Sequence, residues 1–182
     1  LEKDKATLRQ QIVDLNRNAS IEFIVHVGDI KKGAPPCEPG VYEDVAKILK
    51  ANTHPLFIIP GDNEWNDCKD PQEAWKLWEA NFKRFDENWP NELGVGRQAV
   101  RDENFAFIHQ GVLFVGINLV GGKVHDWKEW EARIEDDRQW LETQFRLHSE
   151  TTNAAVLFAH ANPGESSNGE FVYKKQAFQP LI

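Results

Sequence analysis

The chain has 182 residues, of which 41% are hydrophobic, and it carries a formal net charge of -8. A chain of this length can bury a core without a disulfide scaffold, and its 27% charged and 11% aromatic content argues against intrinsic disorder. No apolar run approaches the roughly 20 residues that cross a bilayer. The acidic balance disfavours nucleic acid and anionic membranes as partners, because both attract dense Lys and Arg. We therefore expect a single domain over residues 1–182 that binds neither.

Helix and strand patterns alternate along the first half of the chain. Apolar side chains at helical spacing over residues 8–15 precede a short β-branched run at 21–27. A second helical pattern over 41–49 precedes the apolar run 55–60. These two pairs predict two helices, each followed by a buried strand.

A third helix is predicted to begin at Asp70. Asp70, Pro71 and Glu73 provide an N-cap, a first-turn proline and a capping-box partner. Large apolar side chains then recur at steps of three and four residues, which is typical of a core-facing stripe rather than a ligand site: Trp75, Trp78, Phe82, Phe85 and Trp89.

The second half of the chain predicts a hairpin, a long helix and a final strand. Two apolar runs, 104–109 and 112–118, are joined by the Gln-Gly pair 110–111, which suits a tight antiparallel turn. A capping box opens a helix over 126–148, and residues 154–160 read as the last strand. The alternation predicts an α/β fold, with a mixed β-sheet flanked by helices.

Donor side chains stand at three predicted strand ends. The first strand runs into Asp29, the second into Asp62 followed by Asn63 and Glu64, and the last into His160. Ligands of α/β sheets bind beyond the carboxyl ends of the strands, where these side chains would meet. Carboxylate and imidazole together suit a divalent cation such as Mn, Fe, Zn or Mg.

Each of these residues also has a structural interpretation. A Gly-Asp pair after a strand is typical of a turn, residues 62–64 could form turn and cap contacts, and a histidine at a strand end is often structural. The shared topological position favours a metal or phosphate site over these separate explanations.

The strings VHVGDIKKG, FIIPGDNEW and VLFAHANP occur in this order along the chain. Their order resembles the calcineurin-like metallophosphoesterase superfamily, whose motifs run DxH, GDxx, GNHE or GNHD, His and GHxH, and the resemblance covers roughly Ala19 to Asn162. The strings around the two cysteines resemble a bacterial branch with GDNE in place of GNHE. The resemblance implies a partial four-layer α/β/β/α sandwich.

The resemblance also implies the chemistry of the site. Asp29 would bridge two metal ions, while Asp62, in place of the family's Asn, and His160 would bind one of them. In that family the metal pair activates a water that attacks a phosphomonoester or phosphodiester. The expected partner is therefore a small phosphorylated substrate. Asn63 and Glu64 are the candidate catalytic side chains, with Asn63 donating a hydrogen bond and Glu64 orienting a ligand.

The sequence departs from the family pattern in three places. Asn63 replaces the motif His and cannot transfer a proton near neutral pH. No DxH precedes the first helix and no GHxH follows His160, and the sequence contains no Met. We therefore expect a domain truncated at both ends, lacking its first strand and its C-terminal strands, whose exposed sheet edges a homo-oligomer could cover. A non-catalytic binding or interaction domain on a degenerate fold is the alternative function.

Four further residues complete the predicted site. Asn118 and Asn162 follow strands on the expected active side and are candidate substrate contacts. Cys37 and Cys68 follow Asp29 and Asp62 by eight and six residues, so adjacent loops could bring them within disulfide distance. Two free thiols or an accessory metal ligand are the alternatives. A bond between them would favour a periplasmic or secreted location.

Overall fold

The computed structural model describes residues 2–33, 36–121 and 124–162. Within these ranges the chain forms four helices: α1 (Glu2–Asn16), α2 (Pro39–Leu49), α3 (Pro71–Phe82) and α4 (Trp127–His148). The same ranges contain six strands: β1 (Ile24–His26), β2 (Leu56–Ile58), β3 (Gly96–Arg97), β4 (Phe105–His109), β5 (Val112–Gly116) and β6 (Ala154–Phe158). None of the helices in these ranges has the length and apolarity that a bilayer crossing requires.

The strands form two sheets. β1 and β2 pair in parallel, with Ile24 opposite Leu56. The other four strands are ordered β3-β4-β5-β6, in which β4 and β5 are antiparallel while β5 and β6 are parallel. The predicted α/β class with a mixed sheet and flanking helices is confirmed.

Alternating side chains along β2 divide the apolar interior into two parts. Leu56 and Ile58 pack in the cluster formed with helices α1, α2 and α3. Phe57, together with Ile59 just beyond the strand, packs in a second cluster with side chains of the other sheet. Successive side chains of a strand point to opposite faces, so both faces of β2 are buried.

An aromatic layer joins the two sheets. The ring of Phe57 lies 4.9 Å from that of Phe105 and 4.8 Å from that of Phe107, and Phe107 stacks on Phe114 at 5.3 Å. Offset and tilted ring pairs at these separations add to the stability gained by burying the rings. The two sheets therefore pack face to face.

The opposite face of the second sheet packs on α4. Ala106, Leu113 and Val115 form one cluster with Trp130 and Ile134 of this helix. The layers thus run from α1–α3 through the two sheets to α4, which is the four-layer α/β/β/α order expected from the sequence resemblance.

The aromatic stripe of the third helix extends beyond the helix itself. α3 ends at Phe82, and Arg84 takes a left-handed conformation with φ of 52° before a short 3₁₀ turn over Phe85–Asn88. The expectation of one helix reaching Trp89 is therefore wrong in length. The rings stay in contact because the turn redirects them, and Phe85 lies 5.6 Å from both Phe82 and Trp89.

The predicted hairpin is confirmed in its register and turn. His109 pairs with Val112, and the two intervening residues, Gln110 and Gly111, have φ values of 49° and 78°. Positive φ at both positions matches the twist of the flanking strands. The two-residue strand β3 was not predicted, because so short a segment carries no alternation pattern.

Candidate metal centre

The loops that follow β1 and β2 cross in backbone contact. Gly28 has a φ of 87°, and a Cβ atom there would collide with the backbone of Gly61. Asp29 is itself left-handed, with a φ of 58°, which is uncommon for a residue with a side chain. Such conformations persist where the surrounding structure enforces them, and they concentrate at functional sites.

The side chains of Asp29, Asp62 and His160 converge at this crossing. One donor atom from each residue lies within 4.8 Å of the others. Nε2 of His160 lies 3.5 Å from Oδ1 of Asp29 and 3.6 Å from Oδ1 of Asp62. The three residues come from three strand ends and meet at one rim, as the sequence predicted for their positions.

The imidazole of His160 is oriented by the main chain. Its Nδ1 lies 2.8 Å from the carbonyl oxygen of Val27, so Nδ1 carries the proton and donates to that oxygen. Nε2 therefore faces the two carboxylates. The nearby carboxylate of Asp62 is the largest cause that raises the pKa of His160 to about 9. The imidazole is thus protonated at neutral pH when only the carboxylates face it.

These three side chains have the chemistry of a divalent-cation site. Two carboxylate oxygens and an imidazole nitrogen are common ligands of Mn, Fe and Zn. A ligating histidine usually donates its other ring N–H to a carbonyl or carboxylate, as His160 does to Val27. A cation would replace the proton on Nε2 and relieve the repulsion between the two carboxylates. The residues present therefore fit one divalent ion.

Asn63 holds Asp29 in position. Its side-chain Nδ2 donates to Oδ2 of Asp29 at 2.7 Å, and its backbone N–H donates to Oδ1 at 3.3 Å. Desolvation is the largest cause that raises the pKa of Asp29 above its ordinary value. In this arrangement the amide of Asn63 fixes the Asp29 carboxylate.

Glu64 ties the two crossing loops together from inside the protein. The residue is fully buried, and its Oε1 accepts hydrogen bonds from the backbone N–H of Gly61 at 2.6 Å and of Asp29 at 3.1 Å. Burial raises the pKa of this carboxyl to about 7. The Tyr42 hydroxyl donates to the Glu64 carbonyl oxygen at 2.5 Å. Glu64 therefore lies behind the three converging side chains and anchors the backbone that carries two of them.

A disulfide between Cys37 and Cys68 closes the same region, with a Cα separation of 6.1 Å. The two sulfur atoms lie 3.9 and 3.7 Å from the carbonyl oxygen of Asn63. The bond thus packs against the π-helical turn Asp62–Asn66, which carries Asp62, Asn63 and Glu64. The predicted pairing of the two cysteines is present in the structure.

The two predicted substrate contacts occupy different environments. Asn118 is fully buried, and its Nδ2 donates to Oε1 of Glu103 at 2.8 Å, so its position gives no support to a substrate contact. Asn162 is exposed two residues after His160. Sequence reasoning missed Val27 and Tyr42, because a backbone carbonyl and a distant tyrosine leave no signal in a motif.

Two comparisons with known proteins bear on this site. The family model described as calcineurin-like phosphoesterase matches residues 3–180. A search of curated proteins finds no relative that matches the chain. The narrower resemblance to a GDNE branch and the expected truncation at both ends stay predictions.

Proposed function

The chain belongs to the calcineurin-like phosphoesterase family, and from this premise we propose that it is a metal-dependent phosphoesterase. Its substrate is a small phosphomonoester or phosphodiester, and Asp29, Asp62 and His160 hold the cation. The convergence of these three donors within 4.8 Å carries the proposal. The orientation of His160 by Val27 supports it, since this contact leaves Nε2 directed at the two carboxylates.

The neighbouring residues have positioning roles in this proposal. The side-chain amide of Asn63 holds Oδ2 of Asp29, while Oδ1, which also accepts from the Asn63 backbone N–H, lies on the side of His160. Glu64 holds the backbone of Asp29 and Gly61 and so keeps the two loops at a fixed separation. A divalent cation bound here supplies Lewis acidity, which activates water and polarises a phosphoryl oxygen. Because Asn63 cannot titrate near neutral pH, another group or water protonates the leaving alcohol.

The disulfide supports a location in an oxidising compartment. Bonds of this kind persist in secreted and periplasmic proteins and are rare in the cytosol. The Cys37–Cys68 bond joins residues 31 positions apart, and the segment between them includes β2 and the turn Asp62–Asn66 of the site. We place the protein in the periplasm or outside the cell on this ground.

The test combines metal binding with hydrolysis. The full chain is dialysed against chelator, titrated with Mn²⁺ by calorimetry, and then assayed on 4-nitrophenyl phosphate and bis(4-nitrophenyl) phosphate. We expect one Mn²⁺ ion per chain, and turnover that requires the ion. Asp29→Ala and His160→Ala should each abolish both, because removing one of three ligands destroys the site.

Glu131→Gln is the matched control. This exposed carboxylate lies on α4, outside the converging group, and its substitution should leave binding and turnover unchanged. Stoichiometric Mn²⁺ binding without turnover on either ester would favour the alternative of a non-catalytic binding domain. Failure of the wild-type chain to bind Mn²⁺, Zn²⁺ or Fe²⁺ would overturn the metal site itself.

A further inference from the structure

Arg133 is a fully buried cation on α4. Its Nη1 donates to the carbonyl oxygen of Asn118 at 3.1 Å, and its Nε donates to Oε1 of Glu129 at 3.1 Å. A charged group inside a protein is costly unless its surroundings compensate for the lost water. The groups that surround this guanidinium therefore show which parts of the fold it connects.

Two indole rings lie beside the same guanidinium. Its central carbon lies 5.1 Å from the ring centroid of Trp65 and 4.7 Å from that of Trp130. A cation at these distances is attracted to the negative face of an indole, and more strongly where water is excluded. Trp130 belongs to α4 itself, whereas Trp65 belongs to the π-helical turn Asp62–Asn66. The contact with Trp65 thus joins α4 to the turn of the candidate metal centre.

The turn is itself packed into this part of the protein. Trp65 is buried, and its ring lies 4.6 Å from that of Trp75 on α3. Nδ2 of Asn66 donates to the carbonyl oxygen of Gly121 at 3.0 Å. The position of Asp62, which begins the turn, therefore depends on how the side chains at the other end of the turn are held.

The contacts of Arg133 also lead to the strand end that carries His160. The segment after β5 includes Asn118, which accepts from Arg133, and Leu119, whose carbonyl oxygen accepts from the backbone N–H of Ala161 at 2.8 Å. Ala161 directly follows His160 in the chain. The segment that Arg133 holds is therefore the one on which this strand end rests.

A guanidinium has the geometry that this position requires. Its five N–H groups donate in one plane, here toward Glu129 and Asn118, while its faces can still pack on aromatic rings. A lysine ammonium carries the same charge without such a plane. Arg133 can therefore hold a carboxylate, a backbone carbonyl and an indole of the turn at the same time.

We propose that Arg133 is a positioning residue of the candidate metal centre. Its guanidinium holds Trp65, and through this indole it keeps the turn where Asp62 meets Asp29 and His160. The inference rests on the proposed function to the extent that these three side chains bind a cation, and it does not depend on turnover. Removing the charge beside Trp65 should therefore weaken metal binding, although Arg133 is not one of the three donors.

The experiment compares the Mn²⁺ affinities of variants of the full chain by calorimetry, at temperatures where urea unfolding shows each variant to be folded. Arg133→Met removes the charge, while Glu129 keeps its ion pair with Arg101. The attraction lost is that of a desolvated cation–π contact, so this variant should bind Mn²⁺ about tenfold more weakly than wild type. Arg133→Lys, which restores the charge, should bind Mn²⁺ more tightly than Arg133→Met. Trp65→Phe offers Arg133 a weaker ring and should also lower the affinity.

Arg101→Met is the matched control. Arg101 pairs with the same Glu129 at 3.2 Å and with Asp136 at 2.9 Å, and both carboxylates belong to α4 rather than to the turn. This variant removes a partly buried arginine from the same ion-pair network and should keep the wild-type Mn²⁺ affinity.

The contact itself is observed by ¹⁹F NMR of the metal-free chain labelled with 5-fluorotryptophan, in which Trp65→Phe identifies the Trp65 resonance by its loss. This resonance should move in Arg133→Met and stay in place in Arg101→Met. Wild-type Mn²⁺ affinity in Arg133→Met, equal affinities of the Met and Lys variants, or weaker binding with the Trp65 resonance unmoved would overturn the inference and leave the proposed function standing. If the wild-type chain binds no divalent cation, the proposed function fails and this inference fails with it.

Discussion

Removing the Cys37–Cys68 disulfide should destabilise the protein substantially. The bond joins residues 31 positions apart. In the chain-entropy model, closing a loop of this length raises the free energy of the unfolded state by about 3 to 4 kcal/mol. For a chain of this size, that loss corresponds to a fall in melting temperature of about 10 °C. The same change frees the π-helical turn against which both sulfur atoms pack. Mn²⁺ affinity should therefore fall together with stability.

The assay compares urea unfolding of the wild-type chain with that of the double variant Cys37→Ala/Cys68→Ala. Reducing the wild-type protein with a phosphine removes the disulfide without a mutation, and thiol titration verifies that two thiols have formed. The phosphine should leave the double variant unchanged, which controls for effects of the reductant. If reduction lowers the free energy of unfolding of the wild-type protein by less than about 1 kcal/mol, the disulfide does not restrain the unfolded chain as argued. Unchanged Mn²⁺ affinity would refute the link to the turn.

Three further predictions concern buried groups. Glu64→Ala leaves the N–H groups of Gly61 and Asp29 without their acceptor, so the free energy of unfolding measured in urea should fall by about 2 kcal/mol. Calorimetry should show that the same variant binds Mn²⁺ more weakly. Gly61→Ala should abolish Mn²⁺ binding in the same calorimetric titration, because the added Cβ would collide with the backbone nitrogen of Asp29; unaltered binding would contradict this close approach. Burial raises the pKa of Asp137 from its ordinary 3.8 to about 8, so the stability gained from its bound proton is complete below pH 3.8 and is lost as pH rises to about 8. Asp137→Asn should reduce the fall in urea midpoint between pH 5 and 8, whereas the exposed control Glu131→Gln should keep the wild-type slope.

Helix starts and the hairpin could be predicted from the sequence because their interactions are local. Oδ1 of Asp70 accepts from the backbone N–H of Glu73 three residues later, and Oδ1 of Asp126 accepts from that of Glu129 at the start of α4. The turn at Gln110 and Gly111 depends on the φ values of two adjacent residues. Such contacts depend on few neighbours, so the residue types that make them are visible in the chain.

The meeting of Asp29, Asp62 and His160 could also be predicted, though for a topological reason. Asp29 and Asp62 follow β1 and β2, which are parallel, so the order of the elements brings these two residues to the same end of one sheet. His160 follows β6 of the other sheet, so its position beside them also depends on how the two sheets pack. The side chains that fix their orientation were not predictable. Glu64 was expected to orient a ligand, but its partners are backbone N–H groups of Gly61 and Asp29.

The sequence by itself determined the alternation of helices and strands, the helix caps, the hairpin and the strand ends that carry donor groups. Only the tertiary structure decided that the strands divide into two sheets and that Asn118 is buried beside Glu103. It also decided that Trp65, Trp75, Trp127 and Trp130 line one cleft. The physical reason is the range of the interactions. Side-chain periodicity and capping act over about four residues, whereas sheet packing and the crossing of the loops at Gly28 and Gly61 join segments more than thirty residues apart.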